Sequence, residues 1–167
     1  MKTLLVMRHA KSDYPANLSS DFDRPLNKRG NNDLPRIAQL LGDFGPLPDA
    51  VVASPALRAR QTAEGLVRTL DLPASSLNFD ESLYLASPKT LTQSAVHWPN
   101  GAQTVLIIAH NPGLEEWVSQ LAGAQILLPT AGLVAIDLEL QCWKEIDRTP
   151  GRMRYFVIPR LIKSLVQ

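Results

Sequence analysis

The sequence predicts an α/β fold: a single-domain three-layer sandwich with a mostly parallel central sheet, antiparallel additions toward the C-terminus, and helices on both faces. Three observations lead there. Short apolar runs alternate with segments of helical period, the pattern of strand–helix–strand units. The early runs are continuous and not alternating, as expected of strands covered on both faces. Beyond about residue 130 the pattern changes to apolar–polar alternation, which suits antiparallel strands. The chain has 167 residues, is 45% hydrophobic and 20% charged, and is therefore long enough to bury about 70% of its unfolded surface in one core.

Each element has a local reason. Thr3-Leu-Leu-Val-Met7 is a buried strand that stops at Arg8-His9, and a polar loop follows to about Pro25. Leu26 to Leu41 has apolar positions at Leu34, Ile37, Leu40 and Leu41, one helical face. Pro35 fits that helix only if it begins near Leu34 or kinks, since proline removes a backbone donor. Ala50-Val-Val-Ala53 is a second buried strand ending at Ser54-Pro55. Ala56 to Leu70 is a helix with Leu57, Ala63, Leu66, Val67 and Leu70 inward. Ser75 to Phe79 is a short strand, and Lys89 to Trp98 a short helix. Thr104-Val-Leu-Ile-Ile-Ala109 is the strongest strand, halted at His110, and Leu114 to Leu121 is the helix after it. Gly132–Leu140, Cys142–Asp147 and Arg154–Pro159 read as antiparallel strands.

Composition removes several classes of function. The 17 Lys+Arg against 16 Asp+Glu leave a net charge of +1, which excludes a strongly basic nucleic-acid binder. A single Cys excludes an internal disulfide framework and a cysteine-based zinc site. No apolar run approaches the roughly 18 residues that span a bilayer. The first strand begins almost at once and leaves no room for a signal peptide, so a soluble cytoplasmic protein is expected. The sequence contains no repeat, low-complexity tract or linker.

Three strand ends carry the chemistry. Arg8-His9 follows the first strand, Ser54-Pro-Ala-Leu-Arg58 the second, and His110-Asn-Pro the strongest. If these strands are parallel, Arg8, His9, Arg58 and His110 meet at their carboxyl edge, where α/β sheets bind ligands. Two guanidiniums can fork onto a phosphoryl dianion. A neutral imidazole can attack phosphorus, and a second histidine, if protonated, can donate to an equatorial oxygen. The arginines disfavour a doubly charged imidazole pair and keep the attacking imidazole unprotonated near neutral pH. No cluster has metal-ligand spacing, so a metal-free and cofactor-free mechanism is expected. A lone histidine after a strand is more often a loop residue; the joint occurrence at three strand ends makes the set informative. His97, Cys142, Trp117 and the group Lys144, Arg148, Arg152, Arg154 read as structural or solvated.

Arg8-His9-Ala10-Lys11-Ser12 resembles the signature of the histidine phosphatase superfamily, with Ala10 where that signature usually has Gly. Asp23-Arg-Pro-Leu-Asn-Lys-Arg-Gly30, Ser54-Pro-Ala-Leu-Arg58-Ala-Arg-Gln-Thr62 and Ala109-His110-Asn-Pro-Gly113 resemble its later motifs in the same order. Within the superfamily the chain is most similar to the small SixA-type phosphohistidine phosphatases. The resemblance implies a phosphoglycerate mutase-like fold and one histidine phosphatase domain over 1–167 without a large cap insertion. It implies that His9 becomes phosphohistidine, that Arg8, Arg58 and His110 hold phosphate, and that Ser12 and Arg24 border the substrate. For Arg24, pairing with an acidic neighbour is favoured slightly. Phosphate or sulfate should occupy the site. The implied partner is a phosphorylated protein, such as a histidine phosphotransfer domain, with neither nucleic acid nor membrane. A monomer is the default.

One departure is instructive. Larger superfamily members carry an acid that protonates the leaving group. Here the corresponding segment is Asp80-Glu-Ser-Leu-Tyr-Leu85, and Leu85 falls at the acid's place. Glu81 is the nearest candidate acid, and a solvated turn residue is its commoner role. An alkoxide leaving group needs such an acid, worth about 10²–10⁴-fold. A phosphoimidazole can be protonated on its distal nitrogen and leave as neutral imidazole. The sequence thus favours a phosphohistidine phosphatase. The alternatives are a small-molecule phosphomonoester phosphatase with Glu81 as acid, and a phosphoprotein-binding module without turnover.

Overall fold

The computed structural model describes residues 1–165. Six strands form one sheet in the order β3-β2-β4-β1-β5-β6. They are β1 (Lys2–Arg8), β2 (Ala50–Ala53), β3 (Leu77–Phe79), β4 (Thr104–Ala109), β5 (Leu133–Leu138) and β6 (Gly151–Val157). β1 to β4 are mutually parallel, and β5 runs antiparallel to both β1 and β6. The helices are α1 (Lys28–Phe44), α2 (Leu57–Thr69), α3 (Pro88–Ala95), α4 (Gly113–Ala122) and α5 (Pro159–Leu165). This is the expected mixed α/β sandwich, mostly parallel with antiparallel additions. Among the described residues, no helix is long and apolar enough to cross a membrane.

The alternation of strand side chains builds two cores. Leu5, Met7, Leu106 and Ile108 point to a face closed by Leu34, Ile37 and Leu41 of α1 and Ala59, Ala63 and Leu66 of α2. Leu4, Val6, Val105 and Ile107 point to the other, with Leu91 of α3, Leu114 and Trp117 of α4, and Trp98 and Trp143. Because both faces are covered, the strands carry no polar alternation, which is why β1, β2 and β4 read as unbroken apolar runs.

Three local readings differ from expectation. Pro35 lies inside α1, which starts at Lys28 and is capped by Asn27, whose side chain accepts from Gly30 N–H at 2.9 Å. The proline is exposed, so its missing donor faces solvent, while buried Asp33, Leu34, Ile37 and Ala38 hold the helix. Cys142–Asp147 is no strand: Trp143–Glu145 forms a 3-10 turn, with Glu145 Oε2 accepting from Gln141 and Cys142 N–H. Pro159 opens α5 and does not end a strand, since proline suits a first helical position.

The topology positions the site. Arg8 pairs in register with Ala109, and Ala53 with Ile108, so three parallel strands end level. The ladder runs one step further: His9 N–H donates to Ala109 O and Ser54 N–H to Ile108 O. Because β5 is antiparallel, its leading loop reaches the same edge, where Ala131 N–H is shared by the carbonyls of Arg8 and His9.

Candidate active site

Parallel strand ends bring Arg8, His9, Arg58 and His110 into one cluster. The His9 and His110 ring centroids are 5.1 Å apart, and both residues are buried. His9 Nδ1 lies 2.8 Å from Ala10 O. A carbonyl only accepts, so Nδ1 carries the ring proton and Nε2 the lone pair. That lone pair accepts from Arg58 Nε at 3.2 Å. Thr62 steadies the turn: its hydroxyl donates to Arg58 O at 2.7 Å and accepts from Ala10 N–H at 3.0 Å.

Arg58 is almost wholly buried at the start of α2. Its Nη1 donates to Asp21 O at 2.7 Å, and its Nη2 to Asp21 Oδ2 at 3.0 Å. Tyr84 O–H donates to the same carboxylate oxygen at 2.8 Å, and its ring stands edge-on to His110 with centroids 5.5 Å apart. Arg24 Nε lies 3.3 Å from Asp21 Oδ1, and its Nη2 donates to Ser12 Oγ at 3.1 Å. Arg24 thus joins the cluster through an acidic neighbour, and Ser12 through Arg24. Arg8 Nη1 donates to Leu128 O at 3.1 Å, while its buried Nε has no protein partner. His110 Nε2 lies 2.8 Å from Ser54 Oγ, and its buried Nδ1 has no protein partner.

Burial dominates the electrostatics. Desolvation, helped by the charges of Arg58, Arg8 and Arg24, pushes His9 down to about 3 against an opposing hydrogen bond to Ala10 O. Desolvation likewise pushes His110 down to about 3, with His9 and Arg58 adding to it and Asp21 opposing. Both imidazoles are neutral at neutral pH, chiefly because of burial. Burial alone would raise the Asp21 carboxyl, but Tyr84, Arg58 and Arg24 together hold it below its ordinary value. Asp21 is therefore an ionised acceptor.

This arrangement makes acid sensitivity a property of the folded chain. Both folded-state values lie below the unfolded 6.5, so the unfolded chain binds more protons at acid pH. The stability due to neutral imidazoles is complete above about pH 6.5 and is lost as pH falls from there toward 3. We expect unfolding free energy to drop by up to about 1.4 kcal/mol per pH unit per histidine between roughly pH 6 and pH 5. Denaturant titrations of a His9→Gln/His110→Gln variant should show a much flatter dependence. Equal slopes would contradict the neutral assignment.

Glu81 lies outside the cluster. It is exposed in the 3-10 turn Glu81–Leu83, and its carboxylate bonds none of the site residues. Asp80 caps that turn, accepting from Ser82 N–H at 2.9 Å and from Ser94 Oγ at 2.6 Å. Asp21, Ser54 and Tyr84 are participants that the sequence did not single out. The loop bearing Tyr84 can approach because Gly113 has no side chain: a Cβ there would fall 1.8 Å from Ala86 O. Among the described residues, no group of His, Cys, Asp and Glu could hold a metal ion.

Known proteins resemble this chain in sequence and in fold. A model of the histidine phosphatase superfamily (branch 1) matches residues 4–83. An uncharacterized Mycobacterium tuberculosis protein is 31% identical over 166 residues, covering 92% of this chain and all of that one (100%). A structure assigned as the phosphohistidine phosphatase SixA of Agrobacterium tumefaciens superposes with a TM-score of 0.79 at 27% identity, covering 95% of this chain and 98% of that chain. A protein histidine phosphatase SixA in complex with tungstate superposes at 0.81 and 23% identity, over 96% and 99% of the two chains.

Proposed function

Since this chain belongs to the histidine phosphatase superfamily and its SixA-like branch, we propose that it is a phosphohistidine phosphatase working through a phosphohistidine on His9. The observation that carries the reading is the His9 imidazole itself: neutral, with its proton fixed on Nδ1 and its Nε2 lone pair facing the Arg58 guanidinium.

In the first step Nε2 attacks phosphorus in line, the N–P bond forms, and the substrate's P–N bond breaks. The electron pair of the broken bond stays on the leaving imidazole, which departs neutral when its distal nitrogen is already protonated. Arg8 Nε and the remaining N–H groups of Arg58 bind the phosphoryl oxygens. His110 serves as a neutral donor in the tautomer in which Ser54 Oγ gives its proton to Nε2 and Nδ1–H is left for an oxygen. Arg24 and Ser12 line the entrance. In the second step water attacks phosphorus. Phospho-His9 keeps its Nδ1–H on Ala10 O and is therefore an imidazolium, a good leaving group. Nε2 recovers its lone pair, and the water's proton leaves with the phosphate.

Neither step calls on a carboxylic acid, which agrees with the site. Asp21 is held ionised, and Glu81 is exposed and unconnected to the cluster. The tungstate complex of the SixA relative supports a tetrahedral oxyanion as the ligand class. We further assign residues 1–167 to one catalytic unit without a cap, with the phosphorylated side chain of another protein as substrate, acting in the cytoplasm as a monomer.

A specificity panel tests this. The kcat/KM for phosphohistidine should exceed that for an alkyl phosphomonoester by at least about 10²-fold, the contribution of the missing acid. Glu81→Gln should leave phosphohistidine hydrolysis unchanged. Equal specificity constants, together with a Glu81→Gln variant crippled on esters, would establish the small-phosphoester alternative.

A further inference from the structure

Beside the anion cluster lies an apolar groove of about 330 Å³, walled by Arg8, Leu127, Leu128, Pro129, Phe156 and Ile158, with Glu115 at its side. Arg8 belongs to both: its buried Nε faces no protein acceptor, and its Nη1 bonds Leu128 O. The groove and the phosphoryl site are thus separated by one guanidinium.

The wall is held in place before any ligand arrives. Glu115 Oε2 accepts from Leu128 N–H at 2.5 Å and from Asn111 Nδ2 at 3.0 Å. Leu128 O accepts from Asn111 Nδ2 at 3.0 Å, and Ile126 N–H donates to Ser119 Oγ at 3.0 Å. The backbone is pinned on both sides of Leu127, yet the Leu127 side chain is 71% exposed. A large apolar group presented on a fixed backbone needs little further ordering to receive a partner.

We propose that this groove docks an apolar side chain of the phosphorylated protein, one that neighbours the phosphohistidine, and so selects protein-borne phosphohistidine over the free amino acid. The proposal rests on the phosphohistidine reading above. The occupant follows from complementarity: an oxyanion matched to the cationic cluster, joined by one short stretch of chain to an apolar group matched to the groove. On a helix, residues three or four apart have Cβ atoms about 5–6 Å from one another, a spacing that would span the single side chain separating the two sites.

The test compares two phosphohistidine peptides, with Leu or with Asp at the fourth position from the phosphohistidine, alongside free phosphohistidine. Wild type should favour the Leu peptide by at least about tenfold in KM, as expected for burying one leucine. Leu127→Asp should erase that preference and leave free phosphohistidine hydrolysis unchanged. Because the Leu127 side chain is 71% exposed, its replacement removes no core packing and folding is not at risk. If wild type hydrolyses free phosphohistidine but does not distinguish the peptides, or Leu127→Asp slows all three substrates alike, the groove proposal is overturned alone. If wild type hydrolyses no phosphohistidine at all, the substrate reading falls and the groove proposal with it.

Discussion

Replacing His9 with alanine is expected to lower turnover by about 10⁴-fold or more, because the covalent route is lost and only phosphoryl binding by the arginines remains. Rapid quenching of wild type during turnover should trap label on the protein in a bond stable to alkali and labile to acid, the behaviour of a P–N bond. The variant should trap none. It should fold normally, since Arg58 keeps both of its bonds to Asp21 and the strand ladder through His9 N–H is a backbone contact that alanine retains. Binding of inorganic phosphate should persist through Arg8 and Arg58. A His9→Ala enzyme within tenfold of wild type, or one that still traps label, would remove His9 from the chemistry.

The second large effect concerns Arg58. Its three nitrogens serve different partners at once: Nε faces the His9 lone pair, while Nη1 and Nη2 grip the backbone and carboxylate of Asp21. A lysine retains the charge but has no planar fork, so it cannot hold Asp21 while presenting N–H groups to a phosphoryl oxygen. Arg58→Lys is expected to reduce kcat/KM by about 10²–10³-fold, the usual cost of removing one preorganised oxyanion donor, mainly through kcat. Circular dichroism and the denaturation midpoint separate this from unfolding. A loss below tenfold would mean that charge alone suffices and the fork does not matter.

The ionised state of Asp21 sharpens the substrate argument. A carboxyl group accepting from Tyr84 and Arg58 and paired with Arg24 cannot hold a proton for a leaving alkoxide near neutral pH. The nearest acid is thereby turned into a positioning group for Arg58. An enzyme so built is suited to leaving groups that carry their own proton, and phosphohistidine is one.

Much of the site was legible in the sequence because it is strand-coded. Arg8, His9 and His110 sit immediately after apolar runs, and Arg58 follows Ala53 by a fixed short turn and the opening of a helix. Short-range spacing therefore specified where they would fall once the strands were parallel. Asp21 and Tyr84 were not legible. They lie 37 and 26 residues from Arg58, on loops whose approach depends on Ser20 capping a 3-10 turn and on the absence of a side chain at Gly113. Glu81 shows the converse error of proximity: four residues from Leu85 in sequence, it faces solvent, while Tyr84 turns inward toward His110.

The sequence by itself determined the α/β class, the buried strands β1, β2 and β4, and the pair of arginines and pair of histidines at their ends, because local hydrophobic period and strand termination are written residue by residue. Pro35 inside α1 and the 3-10 turn at Trp143–Glu145 went the other way, since solvent exposure and side-chain capping overrode local propensity there, and Pro159 opens a helix, a position that proline suits. Tertiary structure alone decided the tautomer of His9, the neutrality of His110, the ionisation of Asp21 and the groove beside Arg8. Each depends on burial and on contacts between residues far apart in the chain, and desolvation has no local signature.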